Sequence, residues 1–407
     1  MNKAILVSAY GCEPNKGSEP GLGWDWVSEL ANYNKVIVIT RSNNRTAIEA
    51  VNKNENLVFY YYDVPKKYSF WKKGEKGIYL YYYMWQLGCY KLAKKIYDKE
   101  KIDLAIAMTF GTVWLPTFLY KLPCKFVWGP LGGGEGVPEK LQSVLNGKQR
   151  FYEKIRRINK KVSITNPWFH PSCKKAELII CKTNDTLDCI PQKYKKKCMT
   201  FIETGIHESD LSMYEGFRNR KNENEYGNDF VINAMLRPYK LVPLGVEAFA
   251  KVHAKHPESR LHILGDGEDK SKILALMEKH GLQDSVILHG RVSHDVALSI
   301  MSSVRGVMIT SAREQGSYVM LEAMVLKRPI ICFRTSGMAV MVTEKTGVFV
   351  EIEEPKKAIA DFASAATMLL EDKKFAHQMG ENGYQRIVGD LTYSNKMKRL
   401  DSILEKL

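Results

Sequence analysis

The sequence predicts an α/β protein built from two Rossmann-like domains with parallel sheets. Three observations carry that prediction. Short β-rich runs alternate with helix-length segments from one end of the chain to the other, which is the pattern of βαβ units. The alternation breaks once, over residues 215–229, in a polar stretch of linker composition. The length of 407 residues suits two domains better than one.

In chain order, the first series of strands is expected at 4–10, 36–40, 57–62, 104–108, 126–128 and 178–181. The second is expected at 230–235, 261–264, 286–288, 307–309 and 330–333. Nearly continuous apolar runs of this length suit strands covered by helices on both faces. No repeat of fixed period is visible, so the two halves read as two similar sheets in tandem. Such sheets bind ligands beyond the carboxyl ends of their strands, which puts the expected site in a cleft between the domains.

Composition removes several alternatives. An apolar share of 45% with 29 Gly and 15 Pro is that of a folded chain, which excludes disorder, collagen and a short disulfide scaffold. No stretch approaches the roughly 18–20 apolar residues of a membrane-spanning helix, and the apolar run at 4–10 is too brief for a secretion signal. Eight cysteines without a C-x-x-C pair suggest neither zinc nor a disulfide framework, so a reduced cytoplasmic compartment is expected. The net charge of +15 is one-sided: residues 1–200 hold 33 basic and 17 acidic side chains, whereas the remainder holds 27 and 28. The first half is therefore expected to face an anionic partner, whether membrane surface, nucleic acid or acidic substrate.

The second half carries the motifs that suggest chemistry. In Ser311-Ala-Arg-Glu314-Gln-Gly316-Ser317-Tyr318-Val-Met-Leu-Glu322 a strand-to-helix loop is bracketed by two carboxylates eight residues apart. A helix start with Gly316, Ser317 and Tyr318 offers free N–H groups to a phosphate, and a carboxylate beside it suits sugar or ribose hydroxyls. Spacing alone leaves open that Glu314 is a solvated loop residue and that Glu322 pairs locally. Upstream, Arg237 and Lys240 close the first strand of this half where a diphosphate would meet the sheet. A planar fork and a mobile point charge suit a pyrophosphate leaving group, although surface Arg and Lys are common. Gly265-Asp-Gly267 and His289-Gly290-Arg291-Val292 end two further strands; their glycines would let a ligand approach the backbone, and Gly turns after strands are also frequent for structural reasons.

In this order and at these spacings, residues 229–390 resemble the donor-binding domain of retaining glycosyltransferases of the GT-B fold, the group-1 or family-4 class. The marks are Arg237 with Lys240, Gly265-Asp-Gly267, the His289–Val292 strand end and the E-x7-E element running into Glu322-Ala-Met. The resemblance implies catalytic roles for Glu314, Arg237 and Lys240. Glu314 would hold the donor sugar, Glu322 the ribose, and the two cations the diphosphate, with Gly265, Gly267, Arg291, Val292, Gly316, Ser317 and Tyr318 around the donor. It further implies an acceptor-binding domain at 1–205, a donor-binding domain at 206–385 and a terminal helix at 386–407 that returns to the first. Two departures stand out: Leu241 replaces a glycine that often follows the lysine, and Gln315-Gly316-Ser317 replaces the commoner Gly-Phe-Gly.

In the first half, Gly17-Ser18-Glu19 after the first strand and Gly132-Gly133-Gly134-Glu135 after a later one resemble loops of a bacterial subgroup of that family. Both are expected to flank the cleft on the acceptor side. Relatives carry a histidine near the second loop; no histidine precedes residue 170 here, so its role is expected to pass to Glu135, Glu19 or backbone groups. Two basic stretches, 66–73 and 148–161, sit beside aromatics, a pairing that suits an anionic membrane interface. For 79–90 a core role for the tyrosines is equally open.

The function expected is transfer from a nucleotide-diphosphate sugar, UDP-linked first and GDP-linked next, to a glycan or lipid-linked saccharide. The place expected is the inner face of the plasma membrane, with the protein held there peripherally, in polysaccharide biosynthesis. Neither metal nor cofactor is expected, since Asp266 and Asp269 make no convincing metal pair. A basic nucleic-acid-binding protein and a GT-B sugar-nucleotide epimerase are the alternatives. No nucleic-acid-binding signature accompanies the charge.

Overall fold

The computed structural model describes residues 3–74, 76–219 and 227–407. The centre of the expected linker, 220–226, lies outside the described residues. The chain divides into two compact units: Met1–Gly134 with Arg157–Glu203 and Tyr393–Leu407, and Glu135–Arg156 with Thr204–Thr392.

The first unit is built on seven parallel strands: β1 (Ala4–Ala9), β2 (Lys35–Thr40), β3 (Leu57–Tyr61), β4 (Leu104–Thr109), β5 (Lys125–Leu131), β6 (Leu178–Cys181) and β7 (Cys198–Thr200). Their order is β3-β2-β1-β4-β5-β6-β7. The inner strands are buried along nearly their whole length, as their Val- and Ile-rich runs require. β7 was not anticipated; three half-buried residues at a sheet edge carry no run to detect. The tyrosine question of 79–90 is resolved by helix Ile78–Tyr97, which buries Tyr81, Tyr82, Trp85, Cys89, Ala93 and Ile96, while Tyr79 and Leu80 are exposed. Helix Tyr393–Glu405 packs on helix Ser18–Leu30, and the buried Lys396 donates to the Ile202 carbonyl at 2.6 Å.

The second unit holds β8 (Phe230–Asn233), β9 (Leu261–Leu264), β10 (Val286–Gly290), β11 (Gly306–Ile309), β12 (Ile330–Phe333) and β13 (Gly347–Val350), all parallel. Their order is β10-β9-β8-β11-β12-β13. β13, like β7, is not among the strands expected from the sequence. Residues 135–156 group with this unit, whereas a boundary at 205 puts them in the first. Ion pairs between distant residues tie them to it: Arg313 with Glu153 at 3.3 Å and Lys140 with Glu353 at 2.7 Å. No periodicity reports such contacts. Among the described residues no helix is long and apolar enough to cross a membrane.

Candidate functional site

In each sheet the strand order reverses once, between β1 and β4 and between β8 and β11. Adjacent connections leave a reversal point in opposite directions, so a crevice opens there at the carboxyl ends of the strands. Of the second unit's chemistry-bearing residues, Arg237, Lys240 and Glu314 lie on the two loops that leave that point. After β8 the chain turns through Arg237 into a short 3-10 turn, Pro238–Lys240, and after β11 it runs through Thr310 to Glu314. The two loops are stitched together: Ala312 N–H donates to the Tyr239 carbonyl at 2.9 Å and the Thr310 hydroxyl to the Lys240 carbonyl at 2.7 Å.

This stitching brings the Lys240 ammonium onto the Glu314 carboxylate, 74 residues away in sequence. Both side chains are largely buried. Arg313 lies over the Tyr239 ring at 4.3 Å and pairs with Glu153. Gln315 donates to the Glu135 carboxylate at 2.8 Å, so the expected acceptor-loop residue Glu135 stands beside the E-x7-E loop in the second unit. Arg237 is exposed and forms no ion pair among the described residues. Leu241 adopts φ 49° and ψ 33°, the left-handed conformation that a glycine would take without a Cβ penalty.

Helix Tyr318–Val325 follows, with Ser317 at its N-cap making no side-chain capping bond, and with Gly316, Ser317 and Tyr318 half-buried. Glu322, buried inside this helix, meets His294 Nε2 at 2.8 Å. The hydrogen bond to Glu322 raises the His294 pKa. Burial, with the Glu322 charge next, pushes Tyr214 upward as well. At Gly265, φ +138°, a Cβ would lie 2.0 Å from the Ala234 carbonyl oxygen. That turn is thus demanded by the close approach of the β8 and β9 loops, whatever else it serves. Arg291 is exposed and Val292 half-buried just beyond β10, while His289 stacks on His262 with 2.9 Å between ring nitrogens.

In the first unit the β1–β4 reversal point gathers a different set. Glu19, at the start of helix Ser18–Leu30 behind the exposed Gly17 and Ser18, accepts from the backbone amides of Phe110 and Gly111. Burial raises its pKa against the opposing charge of Lys182. Lys182 itself pairs with the buried Glu203 at 2.8 Å. Glu19, Lys182 and Glu203 share a cavity of about 10 Å³, room for one water and not for a sugar. Gly132 N–H donates to the Gly111 carbonyl at 2.9 Å and Gly134 N–H to the Thr186 hydroxyl at 3.1 Å. At Gly133, φ +97°, a Cβ would lie 2.2 Å from the Trp114 indole nitrogen. The triple glycine is therefore packed against its own unit. Beside it, Tyr10 collects Tyr82, Trp85 and Phe110 around its ring, each at 5.2 Å between centroids, with Arg41 over its face at 4.5 Å.

Sequence reasoning missed His294, Arg313, Glu153, Lys182 and Arg41. Lys182 and Arg41 each stand directly beyond the carboxyl end of a strand, and that position was their available signal. His294 and Glu153 carry none, since each acquires its partner only through folding. Among the described residues no three His, Cys, Asp or Glu side chains group as metal ligands. Asp266 instead accepts from its neighbour Gly267 N–H at 2.9 Å, and Asp269 pairs with Lys272 at 2.7 Å.

Residues 214–386 match the family described as glycosyl transferases group 1. Over 138 residues the chain is 28% identical to the alpha-D-kanosaminyltransferase of Streptomyces kanamyceticus, covering 34% of this chain and 35% of that one. Over 152 residues it is 28% identical to the N-acetyl-alpha-D-glucosaminyl L-malate synthase of Bacillus anthracis, covering 37% and 38%. The chain thus spans little more than a third of the length of these curated relatives. Its fold is similar to that of HepE from Anabaena in complex with UDP, with a TM-score of 0.60 at 14% identity over 100% of both chains.

Proposed function

We propose that the chain, whose residues 214–386 match the group-1 glycosyltransferases, transfers a sugar from a nucleotide-diphosphate sugar with retention of anomeric configuration. The donor is UDP-linked in the first instance and GDP-linked in the second. The acceptor is a glycan or lipid-linked saccharide at the inner face of the plasma membrane, and the second unit takes the donor. The observation that carries the reading is the meeting of Lys240 and Glu314 at the β8/β11 reversal point, one loop ahead of the buried Glu322.

Without donor, Lys240 and Glu314 neutralise each other. An arriving sugar diphosphate offers each a better partner: phosphate oxygens for the ammonium, hydroxyls for the carboxylate. Arg237, exposed at the same loop, adds a second cation, and the uncapped start of helix Tyr318–Val325 adds partial positive charge from its N–H groups. The acceptor hydroxyl attacks the anomeric carbon on the face from which the diphosphate departs. The bond to the diphosphate oxygen breaks as the new glycosidic bond forms, the acceptor's hydroxyl proton passes to the departing diphosphate oxygen, and the negative charge that develops on the leaving group falls between these cations. Glu322, paired with His294, takes the ribose hydroxyls in this reading.

The test is a thermal-shift series with UDP, GDP, ADP and inorganic phosphate on the native protein and on Glu322→Ala. One nucleoside diphosphate should stabilise the native chain and lose that effect in the variant. Stabilisation by random nucleic acid and by none of the nucleotides would overturn the reading. Release of nucleoside diphosphate only when acceptor is present separates a transferase from an epimerase.

A further inference from the structure

We propose that helix Gly147–Ser163 docks the protein on an anionic lipid surface through an apolar stripe that faces away from the protein. Surface helices of globular proteins ordinarily turn their apolar face inward. Here the arrangement is reversed. Gln149, Glu153, Arg156 and Lys160, spaced i, i+4, i+7 and i+11, are the residues drawn toward the protein. Glu153 is buried, accepts the Val137 N–H at 3.0 Å and pairs with Arg313. Lys160 donates to the Gly134 carbonyl at 3.0 Å. A stripe at the same spacing, Phe151, Ile155, Ile158 and Val162, points outward, with Phe151 60% and Ile158 51% exposed. Tyr152 extends it on one side.

An exposed apolar stripe is costly in water unless something covers it. Charge identifies the occupant. The helix carries seven Lys and Arg against the single Glu153, and among the described residues no acidic side chain pairs with Lys148, Arg150, Lys154 or Lys161. Lys148, Lys154 and Lys161 flank the stripe on the helical wheel. A second copy would bring two such cationic helices together. An anionic bilayer instead takes the apolar side chains at its interface and the ammonium groups among its phosphates. The inference deepens the membrane side of the proposed function and rests on it only for the reason a transferase would dock there.

The experiment is flotation of the full chain with vesicles of phosphatidylglycerol mixed into phosphatidylcholine, against pure phosphatidylcholine, in low and high salt. The native protein should float with the anionic vesicles and be released by salt. The triple variant Phe151→Ser, Ile155→Ser, Ile158→Ser should bind at least about tenfold more weakly. Lys154→Glu with Lys161→Glu should lose roughly fivefold or more per cation. Both variants alter exposed residues only and should keep the native melting temperature and nucleotide response. Failure of the native protein to float, equal flotation of the triple variant, or a native oligomer that the triple variant dissolves would each overturn the proposal. Flotation is scored without donor or acceptor, so its failure and failure of the transferase reading are told apart.

Discussion

Replacing Lys240 by Met keeps most of the side chain's length and leaves the Glu314 carboxylate without its cation in a site where it is only 17% exposed. Replacing Glu314 by Gln strands the ammonium, 14% exposed, in the same way. A charge-assisted hydrogen bond contributes about 1.5–3 kcal/mol, and removing one partner of a fully buried pair costs about 3–5 kcal/mol. Water reaches about a sixth of each side chain here, so each single substitution should cost about 2 kcal/mol. The double variant removes both charges and should also cost about 2 kcal/mol, leaving a coupling of about 2 kcal/mol in the mutant cycle. For a unit of this size each single should lower the melting temperature by about 4–8 °C. The assay is thermal melting of the four proteins with and without UDP, reading the transition that UDP shifts. Lys240→Met should lose the UDP response, while Glu314→Gln should keep it, since Glu314 is assigned to the sugar. Additive single costs, or a Lys240→Met protein that still responds to UDP, would refute the reasoning.

Three further outcomes follow from the same geometry. Because the bond to Glu322 raises the His294 pKa above its ordinary 6.5, the stabilisation from that pair is complete below pH 6.5 and fades as pH rises through the raised value. The melting difference between native protein and His294→Gln should shrink accordingly, and a difference that ignores pH would contradict the pairing. Burial raises the Glu19 pKa above 4.5, so its charged form disfavours the folded state and stability falls as pH climbs through the raised value. Glu19→Gln should remove that slope and leave stability at neutral pH within about 1 kcal/mol of native or above it; a larger loss in urea titrations would show that the buried charge is needed. Sugar transfer should proceed undiminished in EDTA, because Lys240, Arg237 and helix N–H groups are assigned the diphosphate charge; loss of turnover, restored by a divalent cation, would reassign that role.

Much of this protein is written locally. Apolar runs long enough to be buried on both faces determine ten of the eleven expected strands to within about two residues at each end, and the eleventh, 126–128, as a piece of the longer β5. β7 escaped because its three residues, Cys198-Met-Thr, carry no such run, and β13, Gly347-Val-Phe-Val, was not singled out although its pattern is that of β11. The E-x7-E spacing is local too, since a single loop and helix hold both carboxylates. Meetings across the chain are not. That Lys240 pairs with Glu314, that His294 holds Glu322, and that residues 135–156 side with the second unit depend on strand order, which short-range patterns do not encode. Helix Gly147–Ser163 shows the division most plainly. Its sequence determines that Phe151, Ile155, Ile158 and Val162 share one face and Gln149, Glu153, Arg156 and Lys160 another. Which face meets water was decided only by the fold, because Val137, Arg313 and Gly134 supply hydrogen bonds and charge for the polar side, and they reach it from elsewhere in the chain.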